Sequence, residues 1–185
     1  MKYDIIKQNT HKILGDWKEY CLLAPTKTQE IISKARLDWV IELTDCLGIW
    51  LEKGKTMNEG ELILANANLG SVVESWLKFF YCIYYDDYEK DTRHVTDKAN
   101  KLLPPNRLKF DRLRLLSSEI IFAEENDKCW NNWIHEVQLK RNAIHSFNDR
   151  ELGDYEDFAN NVDKLYEFIN IIDERLPPIE DYLFR

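Results

Sequence analysis

The spacing of apolar residues constrains this chain more than any other feature of its sequence. Near the C-terminus, apolar side chains recur at three- and four-residue steps, at Tyr155, Phe158, Val162, Leu165, Tyr166, Ile169 and Ile172. These steps place all of them on one face of an α-helix, which Pro177-Pro178 would end. Other long segments repeat this helical periodicity rather than the alternation of a β-strand. With only six glycines and five prolines in the chain, the pattern predicts an all-α protein.

The positions of glycine, proline and polar runs predict a bundle of five to six helices in a single domain covering residues 1–185. At 44% hydrophobic residues, the chain can bury one sizeable core. Thr28 is a plausible N-cap for the second helix, and Gly54 would end it. The predicted helices cover residues 5–20, 28–53, 61–88, 106–124 and 127–147, with a last helix that begins after Gly153. Trp39 in the second helix and Leu115 in the fourth lie in phase with their apolar neighbours and are expected to be buried. Residues 86–106 are predicted to connect two helices and to have room for a short helix.

The charge and the N-terminal sequence exclude several classes of protein. A net charge of -8 argues against a protein that coats nucleic acid by bulk attraction, although a local basic strip could still bind phosphates. The first ten residues lack the apolar core of a secretory signal. No apolar run approaches the ~20 residues that span a membrane. We therefore expect a cytoplasmic protein that makes no membrane contact.

The cysteines and the motif content give no indication of a metal or a cofactor. Cys21, Cys46, Cys82 and Cys129 are far apart and lack the spacing of metal ligands. We expect them to be buried, reduced thiols. The sequence contains no phosphate loop, no nucleophile elbow of the GxSxG type and no dinucleotide-binding fingerprint. We therefore predict no metal and no cofactor.

Two charged residues interrupt predicted apolar helix faces. Arg141 lies in phase with Trp130, Trp133, Ile134, Val137 and Ile144. Glu74 lies in phase with Ile63, Ala67, Gly70, Leu77 and Tyr81, and the small Ala67 and Gly70 would allow a neighbouring helix to approach closely. Because an unpartnered buried charge costs several kcal/mol, the opposite signs predict that Arg141 and Glu74 lie close together. The alternative is that either side chain reaches solvent along the edge of its helix face.

Arg141, Asn142 and His145 form a group of polar residues within about one helical turn, and a continuous helix would place His145 on the same apolar side as Arg141. A guanidinium offers a forked donor for phosphate oxygens, and an imidazole can transfer protons near neutral pH. Asn142 could add a polar contact. These residue types would suit catalysis on a phosphodiester. The alternative is that His145 only caps the end of a helix.

The same residues resemble the signature of the HEPN superfamily, whose members are compact helical bundles. The resemblance lies in Arg141-Asn142, then His145 after two intervening residues, followed by a small residue and an aromatic one. The usual spacer between the arginine and the histidine is longer than the three residues found here. Counting from Lys140 lengthens the spacer by one residue. The segment from Asn142 through Arg150 and Gly153, together with Arg175-Leu176-Pro177, also resembles the C-terminal part of uncharacterised bacterial HEPN-like proteins.

The resemblance implies metal-independent RNA cleavage in a cleft between two copies of the chain, with a toxin, antiphage-defence or RNA-processing role. Arg141 would stabilise the phosphate, Asn142 would position it, His145 would act as acid or base, and Glu74 would support them. The implied partners are a second copy of the chain, RNA, and an antitoxin or other protein. The alternative is a noncatalytic HEPN-like binding module for a protein or nucleotide, in which Arg141 pairs with Glu74 as a structural element.

Basic and aromatic residues elsewhere could contribute to RNA binding. A basic strip in this acidic chain consists of Lys98, Lys101, Arg107, Lys109, Arg112 and Arg114. Arg107 and Arg112 from this strip, together with Lys140, are candidate contacts to RNA phosphates. Tyr81, Tyr84, Tyr85 and Tyr88 could stack on bases. The alternatives are a solvated basic helix face and tyrosines that pack in the core.

Overall fold

A computed structural model of the chain describes residues 2–147 and 149–179, except for the side chain of residue 126. Within these residues the chain forms helices, short turns of 3₁₀ helix and connecting loops, and no β-strand. The eight α-helices are α1 (Tyr3–Tyr20), α2 (Thr26–Ile32), α3 (Leu37–Lys53), α4 (Glu59–Ile83), α5 (Tyr85–Lys90), α6 (Phe110–Glu119), α7 (Cys129–Arg141) and α8 (Tyr155–Glu174). The all-α prediction is confirmed. The predicted number of five to six helices is wrong.

The additional helices arise because two predicted helices are each divided in two. The predicted helix 28–53 is α2 followed by α3, and Thr28 lies inside α2 rather than at an N-cap. Its hydroxyl donates to the carbonyl oxygens of Cys82 and Ile83 at 3.2 and 3.1 Å. The predicted helix 61–88 is divided at Tyr84, whose φ of -90° and ψ of 37° are not helical. Because α2 and α5 contain only seven and six residues, neither is long enough to establish a helical period of its own.

Helix α4 lies at the centre of the bundle and contacts α2, α3, α5, α6, α7 and α8. It begins with a reciprocal cap, in which Asn58 accepts from the Glu61 backbone and the Glu61 side chain accepts from the Asn58 backbone. In its middle section Leu69, Val72, Val73, Trp76 and Leu77 are buried. Although α4 has 25 residues, neither it nor another described helix combines the length and apolarity needed to cross a membrane.

Three residues that were predicted to be buried are exposed instead. Trp39 is 54% exposed, Leu115 is 40% exposed and Ile144 is 46% exposed. In α3 the error follows from the break between α2 and α3, because the apolar phase read from α2 does not continue past it. The buried residues of α3 are Leu37, Thr44, Leu47, Gly48 and Leu51. Ile144 lies beyond the end of α7, where the regular α-helical phase no longer applies.

The cysteines differ in burial. Cys21 and Cys82 are buried, Cys46 is partly exposed and Cys129 is exposed, and none of them forms a disulfide. The expectation of buried thiols is therefore wrong for Cys129. Burial raises the pKa of the Cys82 thiol to about 12, because desolvation penalises the thiolate.

We expect this difference to appear in thiol labelling of the folded protein. At about pH 8, where the thiolate is the reactive form, a brief treatment with N-ethylmaleimide should modify Cys129 and leave Cys82 unmodified. Unfolding in guanidinium should make both thiols reactive. Peptide mass spectrometry measures the modified fraction at each position. Equal labelling of Cys82 and Cys129 in the folded protein would contradict their placement.

Candidate functional site

The helix that carries the candidate residues ends earlier than predicted. Helix α7 stops at Arg141, and a 3₁₀ turn continues over Asn142–His145. The next residue, Ser146, has a left-handed φ of 53°, a conformation that ends helices. The predicted extent of 127–147 is therefore too long at both ends. Because a 3₁₀ turn rotates more per residue than an α-helix, His145 does not continue the buried face of α7.

Arg141 and Glu74 lie in contact, which confirms the predicted proximity of the two residues. Arg141 Nη2 donates to Glu74 Oε2 at 3.2 Å. The second carboxylate oxygen, Oε1, binds the Lys78 ammonium at 2.8 Å. The Glu74 side chain is 12% exposed, whereas those of Lys78 and Arg141 are 32% and 33% exposed. The largely buried Glu74 carboxylate therefore neutralises two partly exposed cations. Part of the Arg141 guanidinium faces solvent.

The backbone of α4 allows this contact because residue 70 is a glycine. A Cβ atom at Gly70 would lie 2.4 Å from Arg141 Cβ and 2.6 Å from Arg141 Cγ. Real side chains do not approach so closely, so the aliphatic stem of Arg141 occupies the space that any larger residue would need. The guanidinium is thus held from two directions, by Gly70 beneath its stem and by Glu74 at its end. This agrees with the prediction that a small residue here brings a neighbouring helix close.

Asn142 and His145 complete the candidate group and differ in their surroundings. Asn142 is partly exposed, and its Oδ1 accepts from Arg141 Nη1 at 3.2 Å. His145 is exposed, and its imidazole makes no hydrogen bond to a described residue. The rise of a helical chain over the four steps from Arg141 to His145 is roughly 6–8 Å. The three residues therefore lie close along the backbone, where Arg141 is anchored and the His145 imidazole is open to solvent.

The candidate RNA contacts differ in their access to solvent. Lys140 is only 8% exposed, and its ammonium binds Glu136 Oε1 at 2.8 Å, which leaves little of it for a phosphate. Arg107 and Arg112 are exposed. These two arginines retain access to solvent, whereas Lys140 is occupied within the protein.

Arg114, a member of the basic strip, shows which part of α7 lies next to α6. Arg114 Nη1 donates to Asn131 Oδ1 at 2.7 Å. Asn131 precedes Arg141 by ten residues, a rise of about 15 Å along an α-helix. The basic residues of α6 therefore lie towards the opposite end of α7 from the candidate site.

Two of the four tyrosines serve the core. Tyr81 and Tyr88 are 2% and 3% exposed, and the Tyr88 hydroxyl donates to the Leu103 carbonyl at 2.9 Å. Burial raises the pKa of both phenols. Tyr84 and Tyr85 are partly exposed. The rings of Tyr81 and Tyr88 are therefore not accessible for stacking on RNA bases.

Sequence reasoning missed Lys78, the third charge of the site. Its position four residues after Glu74 on one helix was the available signal, because such pairs face each other.

Within residues 2–147 and 149–179, no group of three or more His, Cys, Asp or Glu side chains is placed to hold a metal ion. Comparisons with protein-family models, with curated proteins and with solved structures found no match to this chain.

Proposed function

We propose that the chain is a HEPN-like, metal-independent endoribonuclease of the toxin or antiphage-defence type. In this proposal Arg141 binds a phosphate of RNA, Asn142 helps to position it, and His145 transfers protons. The observation that carries the proposal is the state of Arg141, which is held by Glu74 while a third of its side chain is exposed. Fixing the guanidinium beforehand reduces the ordering needed when a phosphate binds.

The proposed reaction uses the 2′-hydroxyl of RNA as the nucleophile. A base removes the hydroxyl proton as the 2′ oxygen attacks phosphorus, and the bond between phosphorus and the 5′ oxygen breaks. An acid then protonates the leaving 5′ oxygen. The products are a 2′,3′-cyclic phosphate and a 5′-hydroxyl, and water is not consumed. In a homodimer, the His145 imidazole of one copy would act as the base and that of the other copy as the acid.

Glu74 would act in this scheme as a positioning residue. Its carboxylate contacts Arg141 at one oxygen and Lys78 at the other, and it lies behind the guanidinium rather than beside the scissile bond. The contact with Glu74 uses one N–H of Arg141, and the contact with Asn142 uses another. Since a guanidinium has five N–H donors, others are available for phosphate oxygens.

The test is RNA cleavage by the purified chain in the presence of a chelator. We expect cleavage of mixed RNA and no cleavage of DNA of the same sequence, because DNA lacks the 2′-hydroxyl. The variant His145→Ala should lose at least about 100-fold in rate, the usual contribution of a general acid or base. His135→Ala is the matched control, since His135 is an exposed histidine on α7, the helix that precedes His145. This variant should cleave RNA at the wild-type rate. Arg141→Lys tests the forked donor while it keeps a positive charge.

Two results would contradict the proposal. One is the absence of RNA cleavage by the wild-type chain, measured with a labelled substrate at enzyme excess. The other is equal cleavage by the wild-type chain, His145→Ala and His135→Ala, which would identify a contaminating nuclease. A 3′-phosphate formed without a cyclic intermediate would exclude the 2′-hydroxyl mechanism.

A second candidate function is a noncatalytic HEPN-like module that binds a partner protein. The observation that favours it is the exposure of apolar residues next to the site, because Phe147 is 98% exposed and Ile144 is 46% exposed. Aromatic side chains are enriched among the residues that anchor protein interfaces. In this alternative the contacts of Arg141 with Gly70 and Glu74 only join α7 to α4. It predicts an intact fold and no cleavage in the RNA experiment.

A further inference from the structure

A groove of about 600 Å³ lies between α2, α3 and α4 and differs in charge from the rest of the chain. We call it the α2–α4 groove. Its charged lining residues are Lys27, Lys34, Arg36 and Lys78, with Glu30 as the acidic one. Over the whole chain, acidic residues outnumber lysine and arginine by 33 to 25. The lining itself carries four cations against one acid, which favours an anionic ligand where a cation is not already paired.

The floor of the groove is apolar and partly aromatic. It includes Ile31, Val40, Phe79 and Tyr85, and Ser75 and Asn106 add a hydroxyl and an amide. Apolar walls with a few polar groups are typical of small-molecule sites, which occupy about 300–1,000 Å³. The lining therefore suits a ligand that combines an anionic group with a flat apolar body.

Three of the four cations form an ion pair with a described acidic residue. Lys27 binds Glu89, Arg36 binds Asp38 and Lys78 binds Glu74. Among the residues that the structure describes, no carboxylate lies within ion-pair distance of the Lys34 ammonium, and Lys34 is exposed. Ion pairs with exposed partners are weak, so a doubly charged phosphate can compete for Lys27 and Arg36, whereas the Glu74 partner of Lys78 is only 12% exposed. A phosphate that binds Lys34 does not have to displace a carboxylate.

Arg36 lies next to an exposed tryptophan at the edge of the groove. Its guanidinium carbon is 4.1 Å from the centre of the Trp39 ring. Trp39 is 54% exposed, whereas Trp17, Trp76, Trp130 and Trp133 are buried. An anion that binds Arg36 would change the surroundings of this ring. The site therefore carries an internal fluorescence reporter.

We propose that the α2–α4 groove binds a nucleoside monophosphate unit, with its phosphate at Lys34 and Arg36 and its base on the apolar floor. The unit could be a free mononucleotide or one residue of an RNA strand, which have this chemistry in common. The proposal goes beyond the ribonuclease function and does not depend on it. None of Arg141, Asn142 and His145 lines the groove, although Lys78, the partner of Glu74, does. A His145→Ala chain should therefore bind in the same way.

The test is a titration of the full chain with AMP, followed by calorimetry and by Trp39 fluorescence. AMP should bind at least about tenfold more tightly than adenosine or inorganic phosphate, because both parts of the ligand contribute. Lys34→Glu should weaken AMP binding at least about tenfold by reversing the charge at the phosphate. The matched control is Lys128→Glu, an exposed lysine outside the groove, which should bind AMP as the wild type does. Trp39→Phe should remove the fluorescence change and keep the heat of binding.

An RNA tetranucleotide separates the two sources of the ligand. Tighter binding of the tetranucleotide than of AMP, again weakened by Lys34→Glu, would identify an RNA strand. Equal or weaker binding would identify a free nucleotide. The proposal is overturned if AMP binds no better than adenosine, or if Lys34→Glu and Lys128→Glu reduce its affinity equally. Loss of RNA cleavage in His145→Ala with unchanged AMP binding would keep the two proposals separate.

Discussion

Replacing Phe168 with alanine is expected to lower the free energy of unfolding by about 3–5 kcal/mol, the usual cost of emptying a buried aromatic site. Phe168 on α8 is 0% exposed. Its ring centroid lies 5.4 Å from that of Trp133, 6.0 Å from that of Phe122 and 6.2 Å from that of Trp130. The truncation therefore removes apolar burial and leaves a cavity between three aromatic rings. Urea unfolding, followed by far-ultraviolet circular dichroism, measures the change.

Phe147→Ala is the matched control for this experiment. Phe147 is 98% exposed, and we expect its removal to change the stability by no more than about 0.5 kcal/mol. Phe168→Leu, which keeps part of the volume, should lie between the two and remain folded if the alanine variant does not. A loss below about 1 kcal/mol for Phe168→Ala would contradict the packing described for this cluster.

The fold could be predicted where the helical period continues for several turns. In α8 the apolar spacing identified the buried Phe158, Val162, Leu165, Ile169 and Ile172. It failed at α2 and α5, which are too short to establish a period. It also failed at Trp39, because the phase of α3 is set by where that helix begins, and the break before Leu37 cannot be seen in the hydrophobic pattern.

For the candidate site, the sequence predicted the contact of Arg141 with Glu74 because opposite charges stood on two apolar faces. It did not predict the end of α7, since the 3₁₀ turn and the left-handed φ of 53° at Ser146 carry no glycine to indicate them. His145 was therefore expected on the apolar face and is found exposed. The contact of Lys140 with Glu136 was also missed, because burial of a lysine depends on how far its stem packs against neighbouring helices.

Replacing Gly70 with alanine is expected to lower the free energy of unfolding by about 2 kcal/mol. Alanine alone would favour the helix by up to about 1 kcal/mol. The added methyl group, however, would lie 2.4 and 2.6 Å from Arg141 Cβ and Cγ. Arg141 Cβ is attached directly to the α7 backbone and cannot rotate away, so α4 and α7 must separate. Urea unfolding measures the loss, and the RNA-cleavage rate should fall with it as Arg141 moves away from Glu74.

Gly15→Ala separates steric overlap from helix propensity. Gly15 lies inside α1, and a Cβ there meets nothing within 4 Å, so this variant should gain up to about 1 kcal/mol. The double variant Gly70→Ala with Arg141→Gly removes both crowded atoms and should recover part of the loss, which a double-mutant cycle measures as coupling. If Gly70→Ala stabilises the protein as Gly15→Ala does, α4 and α7 are not in contact at this point. Arg141 would then have no fixed support from which to bind a phosphate.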